Sequence, residues 1–442
     1  MVSWLAPLGI MVAIILIMYL AMKGVSILVI APLAALLVVL TNGMDIFGAL
    51  ITEETSFMTG LAGFVGKYFA VFLLGSILAK YIEESGAAKS IANAVLKTTG
   101  TDKPYSVLIA ILVITSILTY GGVSLYVVLF AVLPLSKPIF KQLNLNWALV
   151  TIPVEMGIGT YTMTMLPGTP SIQNVIPSQI LGTTLTAGAL LGLVATAVTL
   201  VVGLWYMKRE LNKSLRNGEI YDEADKDTLI ASSEDVKLPS VGLSIAPLVI
   251  LVAIIIVGSA MKIPNIIITA LVISIIIAAL LLGPYIKSGH KAVINNGAQG
   301  AITPVFFTAA PVGFGAVIAA APGFQVISDA IFGLPGGPLV STVVATNLMS
   351  IVTGSASGSE GIILPLFGPT LLNAGISPEV IHRVIAIASG PLSAVPQSGA
   401  VLSFLALSGL THKKCYKHFV GAMMVPSLIA LAVVLVMSMV MY

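Results

Sequence analysis

Long apolar runs separated by short polar segments occupy almost the whole chain. Stretches such as 245–259 and 266–282 are continuously apolar and lack the period-two alternation of an outer-membrane barrel. The pattern therefore predicts an all-α polytopic membrane protein. We expect spans near residues 4–22, 25–41, 58–80, 146–172, 180–207, 241–259, 264–284, 297–320, 380–410 and 419–441.

Polar, glycine-rich breaks interrupt the apolar sequence twice, about half a chain apart. The breaks are TYGGVS at 119–124 with MLPGTPSIQN at 165–174, and TGSASGSEG at 353–361 with SGPLSAVPQSGA at 389–400. Backbone that leaves its helix at membrane depth is tolerated only where protein or a water-filled cavity satisfies its polar groups. We predict re-entrant helical hairpins at 104–137 and 336–373, each followed by a broken span. Matched breaks of this kind indicate the binding site of a transporter.

The chain divides into two nearly equal halves at a hydrophilic segment, 208–237, which holds six basic and eight acidic residues. We predict a first membrane repeat at 1–207, a linker at 208–240 and a second repeat at 241–442. Each half has five spans and one hairpin. Because five is odd, the second half runs through the membrane in the opposite direction, which is an inverted-topology repeat.

The positions of the basic residues predict the orientation. If the N-terminus is outside, 18 of the 21 lysines and arginines fall inside, with Lys262 and Arg383 outside and Lys67 within a span. We therefore expect an inner-membrane protein with both termini outside and a cytoplasmic linker. The two hairpins then enter from opposite sides, so that their tips meet near the midplane.

Composition agrees with a membrane protein and excludes other classes. Hydrophobic residues make up 57% of the chain and charged residues only 9%, whereas about a quarter of residues are charged in soluble proteins. The net charge of +3 does not indicate nucleic-acid binding, because the basic residues are scattered among loops. Nothing flanking the single cysteine, Cys415, resembles a metal-ligand cluster, and we expect no metal and no cofactor.

The histidines give no support for an enzyme. All four, at positions 290, 382, 412 and 418, fall at the ends of predicted spans or in loops. No Ser/His or His-Glu-x-x-His arrangement is therefore predicted at membrane depth.

Four separated motifs resemble the gluconate permease (GntP) family of the ion transporter superfamily, particularly its hydroxy-acid permease branch. They are GGVSLYVVLFAVLPL at 121–135, YTMTMLPGTPSIQNVIP at 161–177, TGSASG at 353–358, and IHRVIAIASG with PQSGAVLSFLALSGLTH between 381 and 412. The resemblance implies a homodimer whose outer spans form a scaffold, while the hairpins and broken spans form a mobile, elevator-type unit. It also implies uptake of a small organic anion, such as a gluconate-like sugar acid or short hydroxycarboxylate. The co-transported cation is usually a proton.

This chain departs from the family pattern at two positions of the presumed site. Where the family usually has Leu-Asp-Ser/Thr-Leu-Pro-His, the chain has LSAVPQ at 392–397, so that Ser393 and Gln397 replace a titratable Asp and His. Sodium is therefore an alternative to the proton. Glu360, where a small or apolar residue is expected, is the candidate to replace the lost titratable groups, because intramembrane acids are costly and mark functional sites.

The candidate anion site consists of half-helix starts. Apart from Lys67, no basic residue is predicted at membrane depth, so the backbone N–H groups and positive dipole ends after Gly122, Pro170, Gly358 and Pro396 are the available partners. The predicted substrate-binding residues are Gly121, Gly122, Ser124, Gly168, Thr169, Gln173, Asn174, Gly354, Ser355, Ser357, Gly358, Ser393, Gln397 and Ser398. The competing interpretation is that these small residues only permit close helix packing.

Glu155 and Glu360 are the candidate ion-coupling residues. Their alternative roles are a partner for Lys67 in the case of Glu155, and a hairpin-end cap near water in the case of Glu360. His382 and Arg383 are expected at the outer mouth, where capping or packing is favoured over attraction of anions.

The sequence thus favours a secondary active transporter that imports an organic anion by cation symport. The alternatives are a cation/proton antiporter of the same superfamily, for which the two acids would be needed, and a non-transporting membrane subunit.

Overall fold

The computed structural model describes residues 4–23, 25–99, 103–123, 125–221, 238–261, 263–333, 335–396 and 398–441, and these contain no β-strand. The first half contains α1 (Leu5–Met22), α2 (Ile27–Asn42), α3 (Phe57–Glu84), α4 (Ala87–Thr99), α5 (Pro104–Tyr120), α6 (Leu125–Gln142), α7 (Thr151–Gly159), α8 (Tyr161–Thr164), α9 (Ile172–Leu181) and α10 (Ala189–Arg216). The second contains α11 (Val241–Ala260), α12 (Ile266–Leu282), α13 (Gly289–Ala320), α14 (Pro322–Phe332), α15 (Gly337–Thr353), α16 (Ala356–Asn373), α17 (Pro378–Ser389), α18 (Gly399–Ser408), α19 (His412–Phe419) and α20 (Val425–Met441).

Six helical segments of the described chain are long and apolar enough to cross a membrane. They are Gly48–Glu84, Ala189–Arg216, Val241–Ala260, Ile266–Tyr285, Gly289–Ala320 and His412–Val440. Large apolar side chains lie on the outer surface of these segments, among them Leu280, which is 72% exposed, and Val436, which is 62% exposed. Such surfaces suit lipid rather than water, and the chain is a multi-pass, all-helical membrane protein.

Small residues bring the central helices into close contact. α3 packs along α13, and a Cβ atom added to Gly60 would lie 3.1 Å from the Cα of Gly313. A Cβ added to Gly297 would lie 2.7 Å from the Cα of Ile77 in the same way. Without a hydrophobic driving force between helices in lipid, such close backbone approach supplies much of the association energy.

The helices of the two halves pack in matching pairs. α1 packs on α2 as α11 packs on α12, and α3 packs on α12 as α13 packs on α2. α4 contacts α11, while α14 contacts α1.

Two pairs of helices pack together within the regions assigned to the hairpins. α5 packs on α6, with Gly121 and Gly122 after the end of α5, and α15 packs on α16, with Gly354 and Ser355 between them. The second half of each broken span packs on the hairpin of the other repeat, because α9 contacts α16 and α18 contacts α6.

α10 continues past the predicted linker boundary at residue 207 and ends at Arg216. Lys, Arg, Leu and Glu have high helix propensity, so the charged sequence after Met207 extends the helix instead of ending it. Gly218, with φ +63°, ends it: its N–H donates to Leu215 O, and the Glu219 N–H donates to Ser214 O. Residues 222–237 of the predicted linker lie outside the described residues.

Candidate functional site

The tip of the first hairpin rests on the break in the first broken span. Gly122 has φ +85°, and a Cβ atom there would lie 2.9 Å from Cγ of Pro170. The Tyr120 hydroxyl at the end of α5 donates to Pro167 O at 2.9 Å. Gly168, with φ +80°, lies beside the same hydroxyl. Positive φ and close contacts explain why glycine occupies positions 122 and 168.

Two other predicted residues belong to this tip. Gly121 is buried against the side chain of Leu248 in α11. Ser124 lies outside the described residues. The first tip is therefore built from glycine, proline, an aromatic hydroxyl and aliphatic side chains.

The tip of the second hairpin rests on the second broken span in the corresponding way. Gly354 has φ +59°, and a Cβ atom there would lie 3.1 Å from the Cα of Ser398. Ser355 caps α16, since its Oγ accepts from the Gly358 N–H at 3.1 Å, and it also lies 3.3 Å from the Oγ of Ser357. Ser398 caps α18 by accepting from the Val401 N–H at 3.2 Å. Both caps follow the preference for serine at helix N-termini.

Three buried serines, Ser350, Ser359 and Ser389, lie close to this tip and to Glu360. Ser350 Oγ donates to Ser359 Oγ at 2.8 Å and contacts Ser389 O at 2.9 Å. Ser389 Oγ in turn donates to Oε1 of Glu360 at 2.7 Å. Glu360 is 0% exposed, and its Oε2 has no hydrogen-bond partner among the described residues. The alternative role of Glu360 as a cap near water is wrong, because α16 begins at Ala356 and places this side chain in the protein interior.

The remaining predicted residues of the second broken span are less enclosed. Ser393 is partly buried and donates from Oγ to Gly390 O at 2.7 Å. Gln397 lies outside the described residues.

Asn174 holds the first broken span to the second half of the chain. Its Nδ2 donates to Thr169 O and to Leu185 O, both at 2.8 Å. These two bonds fix the amide orientation, so Oδ1 faces Nε2 of His382 at 2.9 Å and the Nε2 of His382 must carry the proton. Nδ1 of His382 lies 2.6 Å from the Thr183 hydroxyl. Asn174 is thus fully engaged by protein partners in this conformation.

The neighbours of Asn174 differ in exposure. Thr169 is fully buried, and its Oγ1 accepts from the Ser171 N–H at 3.3 Å. Gln173 is only partly buried.

His382 and Arg383 lie in the protein interior and not at the expected outer mouth, in agreement with a packing role. Arg383 is 0% exposed. Its Nε and Nη2 donate to Ala187 O at 3.0 and 2.8 Å, and a Cβ on Gly188 would lie 2.6 Å from the Cβ of Arg383. Nη1 has no partner among the described residues. Arg383 lies on α17, which packs on the helix that carries Glu360, α16.

Glu155 lies in a different part of the protein from Glu360. It is 3% exposed on α7, and its Oε2 lies near Gly159, which also contacts Met423 in the π-helical turn Val420–Met424. The predicted Lys67 partner is not there, because Lys67 Nζ donates to Gln179 O at 2.9 Å. Oε1 of Glu155 has no hydrogen-bond partner among the described residues.

Sequence reasoning missed several residues of this network. Ser350 is an isolated hydroxyl residue in apolar sequence. Ser389 opens the break at 389–400 and Thr183 lies in the polar run at 182–186, but neither position indicates its distant partner. Arg383 lies about one and a half turns inside α17, and the start of that helix does not show what covers the side chain.

The chemistry that this arrangement supports is reversible binding of a proton or a cation, not covalent catalysis. The Glu360 carboxylate and the Ser389 hydroxyl bonded to it are hard oxygen ligands. No group of three or more His, Cys, Asp or Glu side chains able to hold a metal occurs among the described residues.

Comparison with known protein families gives one match over nearly the whole chain. The model of the GntP family permeases matches residues 2–440.

Two relatives are named as membrane carriers. The chain is 34% identical to the uncharacterized transporter YxjC of Bacillus subtilis (strain 168), over 97% of this chain and 98% of the relative. It is 24% identical to an uncharacterized permease of Haemophilus influenzae, over 79% of this chain and 75% of the relative. The homologues are thus transporters or permeases rather than enzymes.

A solved structure shares the fold. The crystal structure of the YdaH transporter of Alcanivorax borkumensis, described as having an unusual topology, superposes with a TM-score of 0.56 at 17% identity. The match covers 87% of both chains.

Proposed function

Because the chain belongs to the GntP family of permeases, we propose that it is a secondary active transporter that imports a small organic anion by cation symport. The substrate class is a gluconate-like sugar acid or a short hydroxycarboxylate, and the cation is a proton or a sodium ion. In this proposal the protein lies in the inner membrane as a homodimer, with both termini outside and residues 208–240 in the cytoplasm.

One observation carries the coupling part of this proposal. Glu360 is completely buried where the second hairpin meets the second broken span, with one oxygen bonded to Ser389 and the other without a partner. An unsatisfied buried carboxylate oxygen costs about 1–3 kcal/mol or more. A proton or a sodium ion bound there removes that cost, so occupancy of Glu360 is coupled to the stability of the hairpin contact.

The anion is proposed to bind at the helix starts beside the two tips. α16 and α18 begin at the second tip behind the capping serines Ser355 and Ser398, and the first tip adjoins the start of α9. The positive dipole ends and free N–H groups of these helices favour a carboxylate, and the serine hydroxyls suit the hydroxyl groups of a sugar acid.

The matching helix pairs support the inverted-repeat part of the proposal. Equivalent contacts recur in the two halves, and the crossed packing of α9 on α16 and of α18 on α6 gives both broken spans the same relation to the opposite hairpin. We propose that α3, α13 and the helices packed on them form a scaffold. The hairpins and broken spans then move as an elevator-type unit.

The test is uptake of radiolabelled gluconate, hydroxybutyrate and lactate by liposomes that contain the purified protein, under imposed proton and sodium gradients. We expect one gradient to drive accumulation of at least one of these acids. In the Glu360→Gln variant the amide can still accept from Ser389, but it cannot be protonated or neutralise a cation. Accumulation should therefore fall by at least tenfold, toward simple equilibration of the substrate.

Glu155→Gln is the comparison variant, since it removes the other buried acid and candidate ion-coupling residue. Uptake that depends on the gradient in Glu155→Gln but not in Glu360→Gln would assign the coupling to Glu360. Full coupling in Glu360→Gln would remove Glu360 from the mechanism, and the absence of uptake for every hydroxycarboxylate would contradict the substrate class.

A cation/proton antiporter remains the second candidate, because both buried acids, Glu155 and Glu360, have an oxygen without a partner among the described residues. It requires cation-driven proton movement without any organic anion, measured with a pH-sensitive dye inside the liposomes. Anion uptake that survives the double Gln variant would exclude it. Uptake by the single reconstituted chain would exclude a non-transporting subunit.

A further inference from the structure

One outward face of α10 is apolar as far as Trp205 and basic from Lys208 onwards. Exposed apolar side chains follow one face of the helix and end at Trp205, which is 61% exposed; they are Leu190, Leu193, Val201 and Trp205. At 100° per residue, the same face continues into Lys208, Arg209, Asn212 and Arg216. The buried residues of this part of the helix, Met207, Glu210, Leu211 and Ser214, lie on the opposite side.

The basic part of this face is concave. Arg209, Asn212, Lys213, Arg216 and Asn217 line a surface depression of about 410 Å³. Three of these side chains are cationic, two are neutral amides, and none is acidic.

Two acids near these cations, Glu210 and Glu219, are directed elsewhere. Glu210 is only 8% exposed and faces the interior. Glu219 accepts from Ser214 Oγ and from Asn146 Nδ2, both at 2.7 Å, and these hydrogen bonds lower the pKa of Glu219, so its charge is held on the other side of the helix end. No ion pair to Arg209, Lys213 or Arg216 forms within the part of the chain that the structure describes.

The position of Trp205 indicates that the depression lies at the level of lipid headgroups. The guanidinium of Arg209 lies over the Trp205 ring, 5.6 Å from its centroid. Tryptophan is enriched at the membrane–water interface, and Arg216 is about 16 Å further along the helix axis at 1.5 Å per residue. A phosphate just above the acyl chains would therefore lie between Trp205 and Arg216.

We propose that Arg209, Lys213 and Arg216 of α10 form a binding site for the phosphate headgroup of an anionic phospholipid, with Trp205 contacting the start of its acyl chains. The occupant is a lipid and not a soluble phosphate, because the apolar face of the same helix leads directly into the site. Basic residues next to a membrane contribute about 1 kcal/mol each toward anionic lipids, which corresponds to about fivefold in affinity per residue.

The experiment uses the quenching of tryptophan fluorescence by brominated phospholipids in reconstituted protein. The background is Trp4→Phe, since Trp4 is 86% exposed and Trp147 is buried, which leaves Trp205 as the accessible reporter. We expect dibrominated phosphatidylglycerol to quench with an apparent affinity at least fivefold above that of dibrominated phosphatidylcholine. In Arg209→Gln/Lys213→Gln/Arg216→Gln the ratio should fall to about one, and in the wild-type protein it should fall steeply in 1 M NaCl.

The matched control is Lys89→Gln/Lys97→Gln/Lys291→Gln, which removes the same charge elsewhere and should keep the preference. An unchanged ratio in the α10 variant would overturn the proposal. Full competition by millimolar inorganic phosphate would also overturn it in favour of a soluble anion. If the α10 variant converted a dimer into monomers without any change in lipid preference, the proposal would be overturned, because the site would bind a second copy of this chain.

Discussion

The turn between α5 and α6 and the turn between α15 and α16 have the same backbone design but different chemistry. Each carries a glycine at positive φ, Gly122 or Gly354, pressed against a broken span. Around the first, the contacts come from Pro170 and the Tyr120 hydroxyl. Around the second, they come from Ser355, Ser357 and Ser398, and the buried carboxylate of Glu360 follows in the same helix, α16.

This difference shows how a paired architecture can divide its tasks. Both hairpin turns lie close to a broken span, and glycine permits this approach at both tips. A buried acid is costly, and the second tip places one, Glu360, beside the Ser389 hydroxyl. We propose that the first tip mainly has a packing role and that the second tip binds the coupling ion.

The largest expected effect tests the link that Arg383 forms between α17 of the second half and residues 185–187 of the first half. Arg383→Met removes charge-assisted hydrogen bonds to the carbonyls of Leu185 and Ala187 and leaves Ala187 O without this donor in the interior. We expect a loss of about 3 kcal/mol or more in the free energy of unfolding, measured as a fall in thermal stability in detergent. Arg383→Lys should not restore it, because an ammonium lacks the planar fork that contacts both carbonyls. Wild-type stability in either variant would show that the packing of the two halves does not depend on this link.

An intermediate effect tests whether both tips require close packing. Both glycines have a positive φ, and an added Cβ would lie 2.9 Å from Pro170 Cγ at position 122 and 3.1 Å from Ser398 Cα at position 354. Gly122→Ala and Gly354→Ala should therefore each lower the free energy of unfolding by about 2–3 kcal/mol. Gly375→Ala is the matched control: φ is +82° but nothing lies within 4 Å of the added Cβ, so the expected cost is about 1 kcal/mol. Equal melting temperatures for all three variants would contradict the packing role of the tips.

The smallest expected effect tests the dependence of the second tip on its hydroxyls. Ser355→Ala removes the N-cap of α16 and should cost about 1 kcal/mol, while Ser355→Asp should retain most of the stability because aspartate caps equally well. Thermal unfolding of the two variants side by side distinguishes the cap from loss of side-chain volume. Equal stability of Ser355→Ala and wild type would mean that the second tip does not need this hydroxyl for its structure.

Much of the fold could be predicted because its signals are local. Continuous apolar runs longer than a membrane crossing predicted the long helices, and glycine and proline at the breaks predicted the turns near Gly122 and Gly354. The end of α10 was harder, since a charged sequence is compatible both with a linker and with the exposed last turns of a helix. The first-half boundary placed at residue 207 therefore falls inside that helix.

The amino-acid sequence by itself determined the class of protein, the order of its helices, the places where they break and the family, because these depend on hydropathy and on residues close together in the chain. Only the tertiary structure decided which polar groups meet. His382 reaches Asn174 across 208 residues, and Arg383 reaches Ala187 across 196. A buried cation or acid is identified by its partners, and those partners come together only when the helices of the two halves pack.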